Sequence, residues 1–240
     1  KQREETRGWP EGPGRPEFSF HLEGPADDPD SVVQLIARDR NAPLGILTAE
    51  YMILANVLWA GLLQTHDLPG AFRSQQNMRT RTSTHALPHK SMGVPYYLWA
   101  TSPLRRYIDL INQRQIIAAA QHGVSARLVA PYKPKEADLY ALIGAFEAQY
   151  LAWNEFQDKI ERYWALRWIE QQQKTRLRAH YLSNGFVRFI DVPLVTKVPG
   201  LPQLERGDEV ILDIMERDEI NLELSCRLVE VVDPETSCAE

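Results

Sequence analysis

The chain has 240 residues, of which 44% are hydrophobic and 25% charged, with a formal net charge of −5. That length and balance fit one or two soluble globular domains with a sizeable core, and they exclude a chain that binds nucleic acid through overall basicity. Two cysteines, Cys226 and Cys238, show no metal spacing and no disulfide framework, which points weakly to a cytoplasmic location.

The opening stretch from Lys1 to Arg7 is polar and lacks an apolar signal region. No targeting segment is expected there, and Lys1 reads as an arbitrary start within a longer polypeptide. Residues 18–37 read as a β-hairpin: Phe18-Ser19-Phe20-His21-Leu22 alternates, and Val32-Val33-Gln34-Leu35-Ile36 returns. The loop between them holds Asp27-Asp28-Pro29-Asp30. Its acids resemble metal ligands, but Pro29 and the loop position favour turn chemistry.

Residues 46–64 read as a helix that is apolar nearly all round, which predicts burial. Its longest apolar run, Tyr51 to Leu63, is broken by Asn56 and is too short for a membrane span of roughly 20 residues. Residues 71–98 read as irregular or short strands. A second helix is expected over 103–121, stopped by His122-Gly123. A linker with Pro131 and Pro134 leads to a long helix over about 136–172. Phe146, Tyr150, Trp153, Phe156, Ile160, Trp164 and Trp168 recur along it at spacings of three and four, a stripe expected to pack as core.

From Lys174 the apolar period changes to two. Five short strands and the turn pair Asn184-Gly185 predict a small closed barrel of the OB type. The expected organisation is an α/β (mixed) partial catalytic domain over 1–172, an all-β five-stranded OB-fold barrel over 173–233 and a tail over 234–240.

Charge is unevenly placed. Between Arg73 and Arg114 there are seven Arg or Lys residues against one acid, Asp109. Lys174 to Leu204 carries five basic residues and one acid, whereas Glu205 to the end carries twelve acids and three arginines. A basic segment in an acidic chain can draw a polyanion to one place, although most charge runs are simply solvated faces.

The most informative segment is Tyr96-Tyr97-Leu98-Trp99-Ala100-Thr101-Ser102-Pro103-Leu104-Arg105-Arg106-Tyr107-Ile108-Asp109. Ser102 has the chemistry of an N-cap and Pro103 that of a first helical residue. Arg105 and Arg106 would then lie in the first helical turn, opposed to the helix dipole unless an anion is bound. One arginine pairing with an acid, Glu50 or Asp109, and the other meeting phosphate would reconcile both readings.

This segment resembles the Tyr-x-x-x-Thr-Ser-Pro-(Ile/Leu)-Arg-(Arg/Lys)-Tyr-x-Asp signature of the ribonuclease II/R (RNB) exoribonuclease family. His89 matches a histidine the family tends to show. Ala49-Glu50-Tyr51-Met52-Ile53-Leu54-Ala55-Asn56 resembles the family's Glu-x-Met-Ile-x-Ala-Asn helix. The resemblance implies hydrolysis of single-stranded RNA from its 3′ end with release of nucleoside monophosphates. It implies Arg105 as the catalytic contact to the scissile phosphate and Glu50 as an acceptor from a 2′-hydroxyl near the 3′ end. Arg106, Tyr97 and Asn56 are further RNA-binding candidates, with Asn56 alternatively tying loops together and Tyr97 alternatively core.

The family holds Mg2+ on a cluster of aspartates, and no Asp-x-Asp-Asp arrangement occurs here. The metal ligands are therefore expected upstream, in a missing N-terminal part of the same protein. The chain alone is expected neither to bind catalytic magnesium nor to cleave RNA, and no membrane partner is expected. Two other readings stay open: a catalytically inactive RNA-binding adaptor on the same scaffold, and a helical interaction module without a nucleic-acid role.

Overall fold

The computed structural model describes residues 17–25, 28, 30–38, 42–76 and 79–232. Of these, 42–152 form one compact unit, and 17–38 together with 153–232 form the other. This grouping differs from a division at 172/173, because the N-terminal hairpin and the second half of the long helix pack with the five-stranded sheet.

In the first unit, α1 (Pro43–Thr65) starts on a proline at its favoured first position. It closes as Leu68 N–H donates to Leu63 O at 2.9 Å, with Asp67 at φ 51°. The expectation that this helix is buried all round is not met. Only Asn56, Ala60 and Leu63 are buried, while Leu44, Leu47, Tyr51, Leu54 and Leu58 are exposed. The helix is longer than the Tyr51–Leu63 run, and by length and composition alone it could cross a membrane. Its polar Asn56 and its Ala60 and Leu63 instead pack inside the unit.

β3 (Phe72–Gln76) and β4 (Arg79–Ser83) form an antiparallel ladder that pairs Phe72 with Ser83. α2 (Tyr107–His122) and the short α3 (Ala126–Val129) follow. Ala60, Leu63, Leu68, Phe72, Leu98, Ala100 and Ala118 make one core cluster, and Ala71, Ile108, Ile111, Leu139 and Ile143 a second. The small residues let α1 and α2 approach the 97–100 segment closely.

α4 (Ala137–Gln171) is one unbroken helix of 35 residues. Its aromatic stripe is not uniformly core. Phe146 and Tyr150 stack at 5.5 Å, but Trp153 and Phe156 are more than half exposed. Periodicity marks a common face without stating what covers it.

In the second unit, β1 (Glu17–Glu23) and β2 (Val32–Arg38) form the expected hairpin. Its loop behaves as a turn: Asp28 Oδ1 accepts from Asp30 N–H at 2.9 Å, and the Ser31 hydroxyl donates to Pro25 O at 2.7 Å. Asp27 and Pro29 lie outside the described residues. Gln171 fastens the hairpin to α4 by accepting from Val33 N–H at 2.9 Å and donating to Ser31 O at 2.8 Å.

The sheet comprises β5 (Arg176–Ser183), β6 (Phe186–Phe189), β7 (Val195–Lys197), β8 (Glu209–Asp218) and β9 (Glu223–Val231). All its pairings are antiparallel, in the order β7-β6-β5-β8-β9. The Thr196 hydroxyl on one edge strand donates to Leu224 O on the other at 2.9 Å, drawing the edges together into a half-barrel. Asn184 and Gly185, both at positive φ, make the tight turn between β5 and β6. Leu166 and Ile169 of α4 pack with Leu177, Val187, Leu194, Val210 and Leu212 in one core.

Candidate RNA-contacting site

The site lies in the first unit and is organised around the irregular segment 97–106. An irregular segment packed in a core must satisfy its backbone groups through side chains. Asn56 of α1 accepts from Ala100 N–H and donates to the Tyr97 hydroxyl, each at 3.1 Å. Asn112 of α2 donates to Trp99 O at 2.8 Å and accepts from Ala71 N–H at 2.7 Å. Gln113 donates to Ala100 O at 2.8 Å.

The helix begins later than the Ser102-Pro103 pair suggests. α2 starts at Tyr107, with Arg106 as its N-cap at φ −133°, ψ 111°. Ser102 makes no side-chain cap; its carbonyl instead accepts from Arg105 N–H at 3.2 Å and Arg106 N–H at 3.1 Å, which closes a separate turn. Asp109 is the cause of this correction. Its carboxylate is fully buried and needs donors. It takes Ser102 N–H at 2.8 Å, Arg106 Nε at 2.8 Å and Arg106 Nη2 at 2.8 Å. In the first turn of α2, that negative charge also meets the positive end of the helix dipole.

The two arginines therefore divide as the sequence allowed. Arg106 is the structural partner, in a bidentate pair with Asp109. Arg105 is exposed, and its side chain has no hydrogen-bond or ion-pair partner among the described residues. Glu50 is exposed on α1 rather than buried. Tyr97 and Asn56 are both buried, bonded to one another and away from solvent. The structure thus brings Tyr97, Asn56 and Arg106 into one bonded framework and leaves Arg105 and Glu50 at the surface.

Three further residues join the framework. The Trp99 ring lies under two guanidinium groups, Arg73 at 3.7 Å and Arg106 at 4.2 Å from its centroid. His89 is buried and sits edge-on to Tyr97 at 5.8 Å. Burial, and then the nearby Arg73 charge, lower the His89 pKa. Burial raises the Tyr97 pKa and lowers that of Arg73. Trp99 and Arg73 carry no local signal. Asn112 could have been found, because it sits one turn after Asp109 on a helix whose other buried positions include Ile108 and Ile111.

Among the described residues, no group of three or more His, Cys, Asp or Glu could hold a metal ion. In the half-barrel, two arginines of the basic first half face acids of the second. Arg176 meets Asp213 at 2.8 Å and Arg178 meets Glu209 at 3.4 Å, so their charge is already countered.

The chain matches the RNB domain over residues 74–122. It is 42% identical to the human 3′-5′ exoribonuclease HELZ2 over 69 residues, 29% of this chain and 2% of that protein. It is 22% identical to the chloroplastic/mitochondrial ribonuclease II of Arabidopsis thaliana over 230 residues, 85% of this chain and 27% of that protein. The chain thus spans a minor part of the length of these relatives.

Among solved structures, it resembles an active-site mutant of the Dss1 exoribonuclease from Candida glabrata. The TM-score is 0.66 and the identity 21%, over 90% of this chain and 32% of that one. It also resembles Mycoplasma genitalium RNase R in complex with ribose-methylated single-stranded RNA. There the TM-score is 0.66 and the identity 14%, over 90% of this chain and 46% of that one. Residues 74–122 are thus similar to the RNB domain, and the mixed α/β and half-barrel fold resembles that of the solved exoribonuclease structures.

Proposed function

We propose that this chain is the RNA-gripping part of a hydrolytic 3′-to-5′ exoribonuclease acting on single-stranded RNA and releasing nucleoside monophosphates. The observation that carries this reading is the division of labour between adjacent arginines: Arg106 is fixed by Asp109, and Arg105 is exposed without a partner among the described residues. A free guanidinium beside a rigid turn suits an oxyanion, since its planar fork matches two phosphate oxygens. Arg105 would hold the scissile phosphate and stabilise the charge that develops on its oxygens as water attacks in line. Glu50 would accept from a 2′-hydroxyl, a contact available in RNA and absent from DNA. Asn56, Tyr97 and Arg106 would act as positioning residues that fix the segment bearing Arg105.

Magnesium would be held by carboxylates supplied outside this chain, and no step here is assigned to it. The relatives named as 3′-5′ exoribonucleases support the reaction class, and the RNase R complexes with RNA support an RNA substrate. The test is to incubate the full-length protein and magnesium with a single-stranded RNA labelled at its 5′ end. A ladder shortening from the 3′ end, with nucleoside monophosphates released, supports the reading. Salt-dependent binding without shortening would identify an RNA-binding adaptor instead.

A further inference from the structure

We propose that Arg73 is a second phosphate ligand of this RNA-contacting surface, held by stacking on Trp99 and left unpaired for a backbone phosphate other than the one assigned to Arg105. The proposal rests on the reading above and adds a contact to it.

The position of Arg73 is fixed, because its backbone N–H donates to Tyr97 O at 2.8 Å within β3. Its guanidinium lies 3.7 Å from the Trp99 centroid. Stacking uses the flat face of a guanidinium and leaves its N–H edge available. Yet among the described residues no acceptor takes a hydrogen bond from that edge, and no carboxylate forms an ion pair with it. A largely buried cation with five donors and no acceptor is costly unless a ligand completes it.

The surroundings point the same way. Arg106 lies over the same ring, and its positive charge further disfavours the charged form of Arg73. Asp109 is the one carboxylate bonded within this trio of arginines, and Arg106 takes it. Glu147 lies near enough to favour the charged form of Arg73, but among the described residues it forms no ion pair with it, so the N–H edge of Arg73 keeps its capacity for an oxyanion.

The experiment measures binding of a fluorescent twelve-residue oligouridylate to the full chain over a series of salt concentrations. The quantity read is the slope of log affinity against log salt, which an unfolded fraction does not change. Each phosphate contact on a single strand contributes about 0.7 to that slope. Arg73→Gln is expected to lower it by about 0.7, Arg105→Gln by about 0.7, and the double variant by about 1.4. Arg73→Lys should keep the slope while weakening affinity.

A wild-type slope in Arg73→Gln beside a reduced one in Arg105→Gln would overturn this proposal and leave Arg73 a structural stack. A wild-type slope in Arg105→Gln would overturn the underlying reading instead. Displacement of the RNA by Arg73→Gln-sensitive binding of an acidic peptide, with no slope change on RNA, would assign the site to a protein carboxylate and also overturn the proposal.

Discussion

The Arg106 guanidinium grips the buried Asp109 carboxylate through two hydrogen bonds of 2.8 Å each, and that pair fixes where α2 begins. The same carboxylate holds Ser102 N–H, so one buried charge ties the turn carrying Arg105 to the helix that follows. The neighbour of Arg106 in sequence, Arg105, is left exposed and without a side-chain partner among the described residues.

Removing that charge should be expensive. Asp109→Asn leaves a mostly buried guanidinium without its counterion, and breaking such a pair costs about 3–5 kcal/mol. Denaturant unfolding should show a midpoint reduced accordingly. Arg106→Lys, which keeps the charge but loses the fork, should cost less.

His89 should make the first unit acid-sensitive. Its pKa is lowered by burial and by Arg73, so the folded state favours the neutral ring. The stability it contributes is fully present above the unfolded value near 6.5 and is lost as pH falls through the folded value. The thermal midpoint should drop between about pH 7 and pH 5, and His89→Gln should flatten that drop.

Glu219 gives a dependence of the opposite sign in the second unit. Burial, and then its neighbour Glu170, raise its pKa. The associated stability is present below the unfolded pKa and is lost as pH rises through the folded one. Glu219→Gln should therefore raise the thermal midpoint at neutral pH and leave it unchanged in acid. A lower midpoint at neutral pH would mean that the contact of Glu219 with Arg217, 3.7 Å away, outweighs its burial.

The parts of the fold legible in the sequence are those set by local rules. Period-two alternation and Asn184-Gly185 announce the five short strands and their first turn because side-chain direction and positive φ act within a few residues. The Thr101-Ser102-Pro103 block announces the candidate site, and the alternative of one structural and one free arginine follows from having two adjacent cations with Glu50 and Asp109 as available acids. α2 starts later than Ser102-Pro103 suggests because Ser-Pro capping preference is weak beside a buried carboxylate that takes three donors. The exposure of α1, and of Trp153 and Phe156, was not legible because an apolar face does not specify its cover. Arg73 and Trp99 meet across 26 positions of chain, and no local pattern marks that encounter.

The most direct test compares Arg105→Lys and Arg106→Lys in the full-length protein, measuring RNA turnover, RNA affinity and thermal midpoint together. Losing the fork of Arg105 should lower turnover on the order of a hundredfold, with smaller effects on affinity and a wild-type midpoint. Arg106→Lys should lower the midpoint through its bond to Asp109. Normal turnover in Arg105→Lys with an inactive but fully folded Arg106→Lys would contradict the account, because it would place the phosphate on the arginine that the structure commits to Asp109.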